Sequence, residues 1–260
     1  MGFLLTWLAM YSNNCGLENE TYQSEEEVEY KVYYNWRTVW VGAGSVKFST
    51  DMETIGDQKA LHLIADGKTY RRYDWFYKVR DTYESWVDPV TSLPYQFRRD
   101  VNEGGYTIFN DYQFDRASLK VNCTNEDFKT SRYEITKDIS SCTQDILSAV
   151  YYARCIDFTQ YSKNDTIPLT IFLDNELYEM YIRYLGKEIV EVGGKTYRCH
   201  KIAPKLIDGT IFKGGEGMSV WVTDDANKIP VLVETPIVVG SIKAVLTGYK
   251  GLKHPFLAEY

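Results

Sequence analysis

Three histidines, a few acidic pairs and one stretch where aromatic and basic residues crowd together are the parts of this sequence whose residue types could do chemistry. His62, His200 and His254 have no neighbouring acid or nucleophile pattern, so a nucleophile–histidine–acid triad has poor support. Hydrolase, zinc-protease and nucleotide signatures are absent: there is no G-x-S-x-G, no H-E-x-x-H and no G-x-G-x-x-G after a strand. Gly214-Gly215-Glu216-Gly217 lacks the Lys-Ser/Thr of a phosphate loop and reads as a hairpin turn. Two carboxylates roughly 5–10 Å apart can cleave a glycosidic bond. However, Asp224-Asp225 falls in a turn and Glu25-Glu26-Glu27 in a polar run, so turn chemistry and solvation account for both. Asp224, Asp225 and Asn227 offer oxygens of the kind a calcium ion takes, but an Asx-rich turn without metal is the commoner outcome of such a string. No catalytic residue, metal ligand or cofactor is assigned.

The most unusual segment runs from Tyr73 to Trp86 and contains Asp74-Trp75-Phe76-Tyr77-Lys78-Val79-Arg80-Asp81. Trp75 and Phe76 could form an apolar lip for a lipid or a sugar ring, with Arg80 holding an acidic head group. In the competing structural reading, which is preferred, the segment is a strand and its approach. Adjacent aromatics then point to opposite faces, one filling a barrel and one covering its outside, while Arg80 pairs with a nearby carboxylate. Arg71, Arg72, Lys78, Arg80, Arg98 and Arg99 are the one basic cluster, and they are expected to pair with strand carboxylates. The candidate ligand-binding residues are Trp75, Phe76, Arg80 and Arg99.

The elements that must position these residues are strands. Aromatic residues make up 15% of 260, with 22 tyrosines, and Tyr favours half-buried pleated surfaces. Period-two patterning recurs along the chain: Tyr30, Val32, Tyr34, Trp36; then Ala60 to Ala65; then Tyr106, Ile108, Asn110, Tyr112, Phe114 after the turn Glu103-Gly104-Gly105. Trp86-Val87 and Tyr95-Gln96-Phe97 flank a Pro-containing hairpin loop, and Gly193-Gly194 is a two-residue hairpin signal. Only residues 143–154 read as a helix, with Ser140-Ser141 as possible caps. On the order of ten to thirteen strands with short turns and no βαβ alternation predict a mainly all-β chain. It is expected to be one antiparallel meander closing into a barrel or half-barrel on that helix, because so many strands must curl to avoid bare edges.

Charge and cysteines bound the compartment and the partners. With 36 acidic against 29 basic residues the formal charge is −7, a field that repels phosphate backbones and argues against nucleic-acid binding. Phe3 to Tyr11 is an apolar run too short to span a bilayer and resembles the core of a signal segment, so residues 1–14 are expected to be removed and residues 15–260 to form one domain with no transmembrane span. Cys15 follows that run as a candidate lipid-anchor site, although Asn13-Asn14 are poor substitutes for the small residues lipidation needs. The other cysteines are Cys123, Cys142, Cys155 and Cys199; they form no C-x-x-C, five is an odd count, and pairing cannot be read from spacing.

The order of motifs resembles a bacterial family called domain of unknown function 3108, exported proteins common in Bacteroidetes. The resemblance rests on Tyr33-Tyr34-Asn35-Trp36 with Gly42-Ala43-Gly44, the block from Asp74 to Ser85, Leu93-Pro94 with Phe97, and Glu103-Gly104-Gly105-Tyr106. It continues through the run from Gln144 to Arg154, Trp221-Val222-Thr223-Asp224-Asp225, Val239-Gly240-Ser241-Ile242-Lys243 and Tyr249-Lys250-Gly251-Leu252. It implies export to the periplasm or outer envelope and a large β-barrel or half-barrel, and it brings no catalytic residues. The expected function is non-enzymatic: a lipid or other amphiphile held in the curved sheet, or a filled barrel that docks an envelope protein. A polysaccharide-active hydrolase is a distant third.

Overall fold

The computed structural model describes residues 15, 17–36, 39–207, 214–237 and 240–260. The expected signal segment, residues 1–14, lies outside the described residues. The alternating patterns become one fourteen-stranded antiparallel sheet, one strand more than the upper expectation, built as two meanders. The first comprises β1 (Glu27–Trp36), β2 (Val39–Ile55), β3 (Gln58–Thr69), β4 (Val79–Val87), β5 (Pro94–Glu103), β6 (Tyr106–Asp115), β7 (Lys120–Asp127) and β8 (Tyr133–Asp138). The second comprises β9 (Thr166–Leu173), β10 (Glu176–Val192), β11 (Lys195–Pro204), β12 (Ser219–Thr223), β13 (Pro230–Pro236) and β14 (Ser241–Lys250). The first and last strands pair with each other, Val32 opposite Ala244, so the chain begins and ends in the middle of the sheet and its edges are β8 and β9.

The sheet is curled but not closed. Register shifts at Glu29/Tyr30, Val32/Tyr33, Trp86/Val87, Tyr184/Gly186 and Trp221/Val222 supply the bends that bulges give a large sheet. One edge is partly covered. Gln144 bridges to β9, its N–H donating to Thr170 at 2.9 Å and its carbonyl accepting from Phe172 at 2.8 Å. At the β9–β10 turn, Arg99 on β5 donates to Asp174 at 2.5 Å and to Asn110 at 2.7 Å, Asn110 donates to Asn125 at 2.7 Å, and Asn125 donates to Asn175 at 3.1 Å. This polar seam, buried at Arg99, Asn110 and Asn125 and open at Asp174, joins β5, β6 and β7 of the first meander to the tip of the second.

The predicted helix forms as α1 (Ile146–Cys155), the link between the two edge strands. Its cap is not Ser140 or Ser141. Asp145 accepts from the N–H groups of Leu147 and Ser148 at 2.8 Å each, and the Asp145 N–H donates to the Ser148 hydroxyl at 2.9 Å, a reciprocal capping box. The helix packs against β3, β4 and β9 inside the curl. Tyr151 stands edge-on to Tyr22 at 4.8 Å, and Phe97, Tyr112 and Phe172 are fully buried around it.

One ion pair lies at the centre of this packing. Arg154 of α1 is 5% exposed and Glu26, just before β1, 1%; they bond bidentately at 2.5 and 3.0 Å. Arg154 also donates to the Asn227 carbonyl at 3.1 Å and lies over the rings of Tyr22 and Tyr151. The acidic run at Glu25–Glu27 is therefore not simply solvated: Glu26 is buried and Glu27 pairs with Lys47 and Lys250. Cys15 forms a disulfide with Cys142, which commits its sulfur and is incompatible with a lipid thioether there, while Cys123, Cys155 and Cys199 are free thiols.

Removing one partner of a buried pair strands the other charge at a cost of about 3–5 kcal/mol. Glu26→Ala is therefore expected to lower unfolding free energy in urea by that amount, and Glu26→Leu with Arg154→Met to recover much of it. A double variant no more stable than the single one would contradict this account.

Candidate functional site

The segment singled out as unusual is not a strand through its length. Tyr70 to Lys78 form the β3–β4 loop, opening with a single 3-10 turn, Arg71–Tyr73, and β4 begins only at Val79. Trp75 and Phe76 therefore do not alternate across a sheet. Both project from the loop tip, 84% and 71% exposed, in a T-shaped pair with ring centres 5.9 Å apart. Neither fills the barrel, which corrects the expectation that one of them would.

The loop is held by polar contacts at its base. Thr69 donates to Asp74 at 3.0 Å, accepts from the Val79 N–H at 3.1 Å, and Arg80 donates to Asp74 at 2.7 Å. Partial desolvation acts to raise the Asp74 carboxyl, but the hydrogen bonds from Arg80 and Thr69 outweigh it and hold the carboxyl below its ordinary range. Arg80 is thus engaged in clamping the loop, as the structural reading expected. On the far side, the Gly104 N–H in the β5–β6 turn donates to the Lys78 carbonyl at 2.8 Å. Gly104 has φ +58°, and a Cβ there would lie 2.7 Å from the Tyr77 ring, so both the turn and the packing require glycine.

Of the candidate residues, the structure brings Trp75, Phe76 and Arg80 together on this loop and its base. Arg99 lies elsewhere, inside the curl in the polar seam with Asp174 and Asn110. The basic cluster divides. Arg80, Arg98 and Arg99 pair with Asp74, Asp111 and Asp174, whereas no carboxylate among the described residues bridges Arg71, Arg72 or Lys78. Lys68, at the end of β3, is likewise without an ion-pair partner among the described residues. Arg72 instead donates to the Gly42 carbonyl at 3.1 Å and stacks on Tyr70 and Tyr73.

These groups border two connected hollows on the outward face of the sheet. A smaller one of about 380 Å³ is lined by Ser45, Lys68, Thr69, Tyr70, Arg71 and Arg80. A larger groove of about 760 Å³ continues from it across β5, β4, β3, β2, β1 and β14, between side chains such as Lys31, Lys47, Asp66 and Asp100. Most of their lining residues are charged or polar, among them Lys31, Lys47, Asp66, Lys68 and Arg80.

Behind the loop, on the inward face, Asp81 and Glu103 form a hydrogen-bonded acid pair that Tyr77 also joins. Burial, then the neighbouring Asp81 charge, push the Glu103 carboxyl up to about 7, and burial raises Asp81 too.

Other chemistry-bearing residues are engaged by the fold. His62 lies between Glu53 at 2.9 Å and Glu84 at 3.1 Å, stacked on Trp86. His200 bonds Asp224 at 2.8 Å and the Tyr184 hydroxyl at 3.0 Å. Both histidines thus have acidic neighbours that the sequence hid, brought from other strands. Burial lowers the His200 pKa against the opposing pull of Asp224, and the cluster sits within the core with Phe158. Asp225 accepts from the N–H groups of Asn227 and Leu257, each at 3.0 Å, so that loop's oxygens serve protein donors. Burial pushes the thiols of Cys123 and Cys199 up to about 12, which leaves little thiolate for nucleophilic work.

The model of a family described as "Protein of unknown function (DUF3108)" matches residues 29–247. No curated protein matches the chain. Among solved structures, the crystal structure of a β-barrel-like protein of domain of unknown function DUF1849 from Brucella abortus is similar, with a TM-score of 0.56 at 9% identity over 88% of this chain and 98% of that one. At that identity the likeness is one of fold.

The acid pair generates a pH dependence. The native state keeps the Glu103 proton up to about 7 while the unfolded chain releases it near 4.5, so this contribution to stability is full below about 4.5 and is lost as pH rises to 7. Glu103→Gln is expected to flatten the fall in melting temperature across that window, leaving the part owed to buried Asp145, whose carboxyl burial raises to about 6. An unchanged slope in the variant would refute the assignment.

Proposed function

We propose, from the premise that this chain belongs to the DUF3108 family, that it is an exported, non-enzymatic protein of the cell envelope whose filled barrel is a scaffold for a binding rim. The observation that carries this reading is the occupation of the curl: α1 and the fully buried Tyr22, Phe97, Tyr112, Tyr151 and Phe172 take the space an enclosed amphiphile would need. Carriage inside the sheet, the other reading open to a curled sheet so rich in tyrosine, is disfavoured by the same packing. A binding role then falls to the exposed end of the sheet where Trp75 and Phe76 stand out from the β3–β4 loop.

Export has its own support. Structural disulfides persist in oxidising compartments, and Cys15–Cys142 closes a loop with a sequence separation of 127 residues. In the chain-entropy view a loop of that length is worth on the order of 4–5 kcal/mol, a contribution available only where the thiols stay oxidised.

Protein purified from its native envelope should appear in native mass spectrometry as the bare chain with one disulfide. A photo-crosslinker at position 75 should give adducts in cells, whereas one at Asp57, in the turn at the opposite end of the sheet, should not. A co-purifying lipid released only on unfolding would revive the carrier reading, and a cytoplasmic pool with reduced Cys15 would overturn export.

A further inference from the structure

The rim that the proposed function relies on has a composition that identifies its target. The segment 68–80 holds five of the chain's 29 basic residues and one of its 36 acidic ones, in a molecule of net charge −7. The single acid, Asp74, is already bonded to Arg80. Lys68, Arg71, Arg72 and Lys78 are exposed and lack carboxylate partners among the described residues, so a local positive field stands against a negative remainder. Two large aromatics project beyond those cations, and they are held out: the clamp at Thr69, Asp74 and Arg80 and the Gly104–Lys78 bond fix both ends of the loop.

The neighbouring rim continues the pattern. Val39, Trp40 and Val41 at the start of β2 are exposed, and Arg72 ties the loop to that strand through Gly42. On the other side Tyr106 packs on Phe128, both exposed, with Lys129 over the Phe128 ring. Lysine is depleted at the cores of protein interfaces, and here lysines flank the exposed aromatic pair and have no carboxylate partner among the described residues. Aromatic rings at the level of the head groups with flanking Lys and Arg on the water side are what a bilayer interface selects.

We propose that this rim docks the protein on an anionic lipid surface, with Trp75 and Phe76 entering the interface and Lys68, Arg71, Arg72 and Lys78 facing the head groups. The inference rests on the rim being the binding surface and adds what it binds. Attraction between exposed cations and an anionic leaflet is screened by salt within a Debye length, whereas the aromatic contribution is not, so the two parts separate experimentally.

The test is flotation of the oxidised full-length chain with vesicles of phosphatidylcholine alone or with roughly one-third phosphatidylglycerol. The anionic vesicles should carry the protein, and neutral ones should hold it about tenfold less well or worse. Trp75→Ala with Phe76→Ala should weaken binding by about tenfold or more without moving the unfolding midpoint. Lys68→Glu with Arg71→Glu should weaken it and flatten its salt dependence. Absence of flotation with anionic vesicles, equal binding to neutral ones, or undiminished binding by the aromatic variant would overturn the proposal. If anionic vesicles fail while a crosslinker at position 75 captures a protein in the envelope, lipid docking falls and the binding rim stands; if neither finds a target, both fall.

Discussion

A fourteen-stranded sheet that curls brings its apolar face to the inside, and that face has to be covered by something the same chain supplies. Here α1 does so, and the Glu26–Arg154 ion pair anchors it. Arg154 reaches the segment before β1 through Glu26 and the β12–β13 loop through the Asn227 carbonyl, so one guanidinium joins the middle of the sheet to the element that links its two edges. A charge buried so deeply is tolerated because its donors are satisfied on several sides, which also fixes the position of the helix.

The consequences run outward from that plug. With α1 in place, β3 and β4 lie on one side of it and β9 on the other, and the edges draw close enough for Gln144 to bridge to β9 and for Arg99 to reach Asp174. The bridge covers part of the β9 edge, while β8 stays exposed along most of its length. Fully buried side chains then occupy the inside of the curl, and the tyrosines that gave the composition its bias divide between core, as at Tyr30, Tyr112 and Tyr197, and rim, as at Tyr77 and Tyr106.

The same packing leaves the loops to carry large apolar side chains in solvent. The β3–β4 connection is longer than its hairpin neighbours, and its base is fastened by Asp74, Thr69 and Arg80, so its tip is free to present Trp75 and Phe76. Acids that drew attention are engaged by neighbours: burial and the Asp81 charge raise the Glu103 carboxyl behind this loop, and Asp224 bonds His200.

Much of the architecture was legible in the chain itself. Period-two alternation at Tyr106 to Phe114, the glycines at 193 and 194, and the helical spacing after residue 143 are local signals, and local hydrogen bonding realises them as β6, the β10–β11 turn and α1. The candidate site was half legible. Its aromatics and Arg80 stood out by type, but the strand assigned to them failed because Asp74 clamps back on Arg80 and Thr69, and residue types alone do not show that clamp. Other partnerships left no trace in the sequence, since each joins residues far apart in the chain: Glu26 with Arg154, Cys15 with Cys142, His200 with Asp224, Arg99 with Asp174. Sequence by itself determined the pleat, the turns and the presence of one helix, because those depend on neighbours within a few residues. The tertiary structure alone decided which charges are buried, that α1 packs inside the curl, and that the aromatic pair faces outward, because those depend on how a long sheet curls over its own helix.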